Sequence, residues 1–228
     1  MKSSWRGNTG TGNGVKVAVL DSLWLPEPYI FPASVKRFIH HVESAPSHAA
    51  KVAQVIGSSN PAAMGVAPAC EIYIAEVIGD LVRGWGGLAE ALLWAEEQGC
   101  QVVNMSFACP TSDQVSEKIM QRLDEKGVIL TASFNAYMHW PHELPWVIAV
   151  GMPHQHGQMD IQVDGEAGVL ESGVAVPFRG TSVACARLSG IAACMKETNP
   201  SITRQQLLRQ LRCQMAPGGA RTRATLAA

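Results

Sequence analysis

Apolar residues along this chain fall into short dense runs separated by longer amphipathic stretches. Val15-Lys16-Val17-Ala18-Val19-Leu20, Val102-Val103-Asn104-Met105-Ser106-Phe107, Val128-Ile129-Leu130-Thr131-Ala132-Ser133 and Trp146-Val147-Ile148-Ala149-Val150 are apolar at most positions and rich in β-branched residues. Runs of this kind predict strands buried on both faces, as in a parallel sheet. Cys70 to Val77 alternates and predicts another strand. Residues 47–56, 86–98, 112–125 and 201–213 carry apolar positions at helical spacing, and Ser182 to Thr198 predicts a helix of small residues. Ser47 stands where an N-cap belongs, and Gly99 and Gly127 where two helices stop. Pro26, Pro28 and Pro32 break up the segment after the first strand, which is predicted as loop. Residues 154–178 are polar and turn-rich, the pattern of a hairpin.

Strand and helix alternate about four times. That order predicts an α/β fold of three layers, doubly wound, with a mainly parallel sheet and helices on both faces. Crossovers in such units are right-handed, and reactive groups gather at the carboxyl ends of the strands. The Gly/Asn/Thr/Ser-rich residues 1–14 are expected to be a flexible lead-in, residues 15–213 one domain, and residues 214–228 a fraying tail.

Composition narrows the function classes. The 228 residues are 47% apolar and 16% charged, with formal net charge −1. This is enough chain for one sizeable core, and there is no basic excess to recruit nucleic acid or an anionic membrane. No apolar run approaches the roughly 18 residues needed to cross a bilayer. Met1-Lys2-Ser3-Ser4-Trp5-Arg6 is not followed by an apolar segment, which predicts no secretory signal. Cys70, Cys100, Cys109, Cys185, Cys194 and Cys213 lack CxxC spacing and are too scattered for a disulfide scaffold. Buried free thiols and a cytoplasmic, reducing location are the expectation. His139-Trp140-Pro141-His142 and His154-Gln155-His156 raise the question of metal. They are read as solvated loops, His40-His41 as surface, and no metal or cofactor is expected.

Three stretches carry chemistry. Asp21 closes the first buried strand, His48 opens a helix, and Ser182 follows Arg179-Gly180-Thr181 at the start of the small-residue helix. Each alone reads as a cap or turn residue. Together, in the order acid, base, hydroxyl, they have the logic of an activated nucleophile. A hydroxyl near neutral pH needs an imidazole to take its proton, and the imidazole needs a carboxylate to fix its tautomer. A helix start at Ser182 adds N–H groups and a positive dipole end where an oxyanion would develop.

At this point the chain resembles the subtilisin-like serine proteases. Gly12 to Ser22 is similar to that family's Asp motif, Gly65-Val66-Ala67-Pro68 to the signature after its His helix, and Val103-Asn104-Met105-Ser106 to its substrate-binding strand. Ala132-Ser133-Phe134-Asn135 is similar to the stretch bearing its oxyanion Asn, Pro145 to Gly151 to the strand that follows, and Gly180-Thr181-Ser182-Val183-Ala184 to its nucleophile motif. The resemblance implies that Asp21 orients His48, that His48 is general base and then acid, and that Ser182 attacks the scissile carbonyl. It also implies that the Asn135 amide serves the oxyanion. Ser106, Phe107 and Ala108 would pair with an extended peptide by strand addition, beside Phe134.

Several residues depart from the family. Ala49, Ala50 and Lys51 stand where Gly, Thr and His are usual, Phe134 where Gly is common, Ala108-Cys109 for Gly-Gly, and Ala186 for a usual Pro. Phe134 and Ala108-Cys109 should crowd the primary specificity pocket, whose candidate walls are Phe107, Phe134, Tyr137, Met138 and Trp140. The loop 57–64 has no carboxylate, so no calcium is expected there. The expected activity is a serine endopeptidase acting on a peptide or precursor peptide. It is similar to the small subtilisin-like proteases that remove leaders in ribosomal-peptide (cyanobactin-type) maturation. Two alternatives stay open: a ligase or macrocyclase in which an amine resolves the same acyl-enzyme, and a degenerate domain that binds peptide or a partner. The sequence leaves the oligomeric state open.

Overall fold

The computed structural model describes residues 10–26, 29–39, 48–78 and 87–215. Along them run β1 (Lys16–Asp21), β2 (Ser34–Arg37), α1 (His48–Gly57), β3 (Glu71–Glu76), α2 (Leu88–Glu97), β4 (Val102–Met105) and α3 (Gln114–Glu125). The rest are β5 (Ile129–Ser133), β6 (Ile148–Gly151), β7 (Ile161–Gln162), β8 (Glu166–Glu171), β9 (Val174–Arg179), α4 (Thr181–Thr198) and α5 (Arg204–Met215). Seven strands form one sheet in the order β2-β3-β1-β4-β5-β6-β7, and every recorded pairing within it is parallel. β8 and β9 form a separate antiparallel hairpin, as the turn-rich pattern predicted.

The period of two in each strand sorts its side chains into two cores. Val17 and Val19 of β1, Ile72 and Ile74 of β3, and Ile148 and Val150 of β6 face α1, α4 and α5. Ala18 and Leu20, Tyr73 and Ala75, and Val103 and Met105 of β4 face α2 and α3. The layers are therefore helix, sheet, helix, the architecture expected from the strand–helix alternation. The caps follow from composition. The Asp113 carboxylate accepts from the N–H groups of Val115 and Ser116 at 3.1 and 3.2 Å to start α3. Gly99 and Gly127, at φ 72° and 82°, turn the chain out of α2 and α3.

Topology decides where chemistry collects. From β1 the chain runs to β2 and β3 on one side, and from β4 to β5 on the other. The carboxyl ends of neighbouring β1 and β4 thus diverge, the crevice where open α/β sheets hold ligands.

The structure corrects the sequence reading in three places. Residues 34–37, predicted as loop, form edge strand β2, since the prolines lie ahead of it and leave its N–H groups intact. Residues 10–14 are not loose: the N–H groups of Thr11 and Gly12 donate to the Glu197 carboxylate at 2.6 and 2.8 Å, and Ala69 N–H donates to Thr11 O at 2.9 Å. Gly12, at φ 80°, lies where an added Cβ would meet Ala67 and Cys70 within 3 Å. Cys213 is exposed, whereas Cys100, Cys109, Cys185 and Cys194 are buried and all six are free. Ser47, His40, His41, Trp85, residues 1–9 and residues 216–228 lie outside the described residues. Among the described residues, no helix is long and apolar enough to cross a membrane.

Glu197→Ala removes the acceptor of two backbone donors. It is expected to cost about 1–3 kcal/mol, read as a lower urea midpoint with an unchanged slope. An unchanged midpoint would mean that the Glu197 anchor contributes nothing to stability.

Candidate active site

Asp21 is the last residue of β1 and is wholly buried. An isolated carboxylate cannot be held there without partners. Its Oδ1 accepts from Ser22 N–H at 2.6 Å, and the pair Oδ1 and Oδ2 lies 2.8 and 3.0 Å from His48 Nδ1. His48 is the first residue of α1, so the apolar stripe that docks this helix on the sheet also fixes where the imidazole enters. Nδ1 as donor to Asp21 leaves Nε2 as the ring's free lone pair. Burial opposes charge on His48, but the charge and hydrogen bond of Asp21 outweigh it and hold the imidazole pKa above its ordinary value. Lys51 pulls in the other direction.

Ser182 sits in the first turn of α4, after Gly180 at φ 137°. Its hydroxyl donates to the carbonyl of Ser106 at 3.1 Å, and the Ser106 hydroxyl is 3.1 Å from Ser182 O. Among the described residues no hydrogen bond joins Ser182 to His48; rotation about the Ser182 Cα–Cβ bond re-aims the hydroxyl without moving the backbone. Asn135 follows β5, and its Oδ1 accepts from the N–H groups of Tyr137 and Met138 at 2.8 and 3.1 Å. The turn occupies the acceptor end of this amide and makes no use of its Nδ2 donors. The end of β1, the starts of α1 and α4 and the segments after β4 and β5 therefore carry the expected candidates.

Under Ser182 lies a polar floor that the sequence reading missed. Asn104 Nδ2 donates to Ser189 Oγ at 3.0 Å and Cys185 Sγ at 3.3 Å, while Asn104 Oδ1 accepts from Ser106 Oγ at 2.9 Å. Ser189 Oγ is also 2.8 Å from Thr131 Oγ1. All of these side chains are buried. Asn104 and Thr131 were visible as polar residues inside strands buried on both faces. Cys185 is no rival nucleophile, because burial pushes its thiol up to about 11.

The hairpin β8–β9 roofs the imidazole. Phe178 meets His48 edge-on with centroids 5.7 Å apart. Gln54 of α1 clamps the hairpin by donating to Leu170 O at 3.0 Å and accepting from Leu170 N–H at 2.8 Å. Lys51 pairs with Glu171 of β8 and lies 5.9 Å from the Phe178 ring. The unusual lysine thus ties roof to helix. Gln54, a polar residue within an apolar helical stripe, was a legible hint; nothing in the sequence pointed to Phe178.

The pocket-wall expectations need correction. Phe107 is buried in the core facing α2 and α3. Tyr137 and Met138 are exposed. Trp140 is buried and donates from Nε1 to Glu117 at 3.0 Å. Phe134 is buried, edge-on to His142 at 5.2 Å, and packs where Gly157 has no side chain. Cys109 is bridged to the backbone of Trp140, and Ala108 is half-buried. His154 and His156 are exposed as expected, but His142 is not a solvated loop residue: it is buried, and Glu143 beside it is a carboxylate that the loop reading overlooked.

The sequence pattern of the subtilase family matches residues 12–160, a span that holds Asp21, His48 and Asn135 and stops before Ser182. Subtilisin BL of Lederbergia lenta is 29% identical over 227 residues, with 89% of this chain and 83% of that protein covered. M-protease of Shouchella clausii is 28% identical over 89% of this chain, which spans only 59% of that relative's length. Among solved structures, a serine-to-alanine mutant of the protease domain of PatA has a TM-score of 0.70 and 23% identity, covering 95% of this chain and 92% of that one. The MycP3 protease from the type VII (ESX-3) secretion system has a TM-score of 0.67 and 22% identity, covering 93% and 79%. These two structures are alike in fold.

An NMR titration of the imidazole is expected to give His48 a pKa above the usual ~6.5. Asp21→Asn removes the anionic partner and should lower it, whereas Lys51→Met removes a repelling cation and should raise it further. A value that ignores both substitutions would overturn this account of the pair.

Proposed function

The chain belongs to the subtilase family of serine peptidases, and on that premise we propose that it is an endopeptidase whose acyl-enzyme forms on Ser182. The observation that carries the reading is the buried Asp21 carboxylate against His48 Nδ1. It makes Nε2 a base and stabilises the imidazolium that forms when the base takes a proton. In the proposed sequence Ser182 Oγ turns from Ser106 to His48, loses its proton to Nε2 and attacks the carbonyl. The Asn135 amide and the N–H groups at the start of α4 receive the oxyanion. His48 then returns the proton to the leaving amine, and water resolves the ester by the same steps in reverse. Ser106 to Ala108 would hold the substrate backbone, with Phe134 narrowing the primary pocket.

The substrate we infer is a particular peptide or precursor peptide rather than bulk protein. Likeness in fold to the protease domain of PatA, which is described as self-cleaved in one of its structures, supports this reading. Maturation of a ribosomal peptide is the finer reading we take from it. The free thiols of Cys100, Cys109, Cys185 and Cys194, all buried, suit a reducing compartment such as the cytoplasm.

A fluorophosphonate probe is expected to label Ser182, and Ser182→Ala to abolish both labelling and cleavage of a randomised peptide library read by mass. Absence of any adduct in the folded protein would overturn the proposal, and joined rather than cut products would replace hydrolysis by ligation. Asn135→Ala should lower kcat by roughly 10²–10³, with KM little changed, a magnitude measured on a member of this family. Activity should rise with pH through the elevated pKa of His48, because only the neutral ring accepts a proton.

A further inference from the structure

The turn between β5 and β6 gathers three metal-ligand side chains that the proposed cleavage does not use. Glu143 N–H donates to His139 O at 3.0 Å and Leu144 N–H to Pro141 O at 3.1 Å, closing a tight turn over residues 139–144. The turn brings the side chains of His139, His142 and Glu143 together. His139 Nδ1 is 2.8 Å from Glu143 Oε1, and one ligand atom from each residue lies within 4.8 Å of the other two. Among the described residues this is the one such group.

A second observation, of hydrogen bonding rather than proximity, concerns His142. His142 is 3% exposed, and neither of its ring nitrogens has a hydrogen-bond partner. A neutral imidazole carries one donor and one acceptor. Buried polar atoms in folded proteins nearly always find partners, and an orphan calls for an explanation. Packing against Phe134 accounts for the ring's face but satisfies neither nitrogen.

We propose that His139, His142 and Glu143 form a site for one divalent transition metal of the zinc type. A neutral His142 nitrogen is a ligand without further change, and the metal takes the place of the proton shared between His139 and Glu143. Two imidazoles and a carboxylate suit zinc, with a fourth position left for water. Calcium prefers all-oxygen shells and is disfavoured here. Zinc–ligand bonds of roughly 2.0–2.2 Å require the three groups to draw together. His139 and Glu143 are free to do so, since their side chains are 63% and 56% exposed. A bound ion would pin the ring against Phe134, one residue before Asn135, and so stiffen the wall of the proposed primary pocket. The site itself does not depend on the cleavage reading.

The test is titration of the metal-stripped full chain with Co²⁺ alone. One equivalent should give the visible bands of a four-coordinate nitrogen–oxygen site, Zn²⁺ should bleach them, and Zn²⁺ alone should raise Tm with concentration. His139→Ala and Glu143→Gln, both at exposed side chains, should keep the apo circular dichroism and Tm while weakening Co²⁺ binding by roughly 100-fold, the upper end of what even an outer-shell partner costs. His142→Phe, which keeps the ring packing, should abolish the bands. The proposal is overturned by a wild-type chain without saturable bands, by variants that bind as wild type does, or by a sulfur-to-cobalt charge-transfer band placing the metal on exposed Cys213.

Discussion

A carboxylate buried at the end of a central strand is the constraint from which the site follows. Asp21 has no contact with solvent, and its carboxyl oxygens are met by the N–H of Ser22 and the imidazole of His48. That pairing fixes the helix entering beside β1. α1 runs from His48, and its Ala49, Val52, Ala53 and Ile56 pack in the core on one face of the sheet. The hydrophobic stripe and the ion pair thus specify the same helix placement from two directions. Coupling of this kind makes packing and chemistry consistent rather than competing.

The second constraint is the join between β4 and α4. These elements are distant along the chain, yet the reciprocal contacts of Ser106 and Ser182 stitch the end of the strand to the start of the helix. Beneath them Asn104, Ser189 and Thr131 direct their hydrogen bonds into one network. A buried network that is satisfied member by member resists displacement, because any shift leaves a donor unpaired. The small residues of α4 permit it: Gly190 lies where a Cβ would meet Val66 at 2.6 Å, so the helix lies close against its neighbours.

Much of this was legible in the sequence. The runs at Val17, Val103, Leu130 and Ile148 announced a sheet covered on both faces, because only double burial tolerates apolar residues at consecutive positions. Asp21, His48 and Ser182 were legible as candidates because each stands at the edge of an element. What escaped the sequence depends on contacts between distant segments. Edge strand β2 is exposed on most of its residues and carries little apolar signal. Phe178 reaches His48 only because the hairpin docks on Gln54. His142 read as a polar loop residue, since sequence gives no hint that Phe134 and the turn would bury it.

The departures around His48 also make physical sense together. Ala49 and Ala50 are buried: Ala49 adds one methyl to the usual Gly and Ala50 is smaller than the usual Thr, so both stay small enough for α1 to pack against the sheet and α4. Lys51, one turn along from the imidazole, repels an imidazolium. Its pairing with Glu171 draws the lysine charge toward the hairpin, and its stem lies over Phe178. A half-buried, solvent-screened pair of this kind adds little stability, so its value is positional. It holds the roof over His48, and in return the imidazole's environment comes to depend on where the hairpin sits.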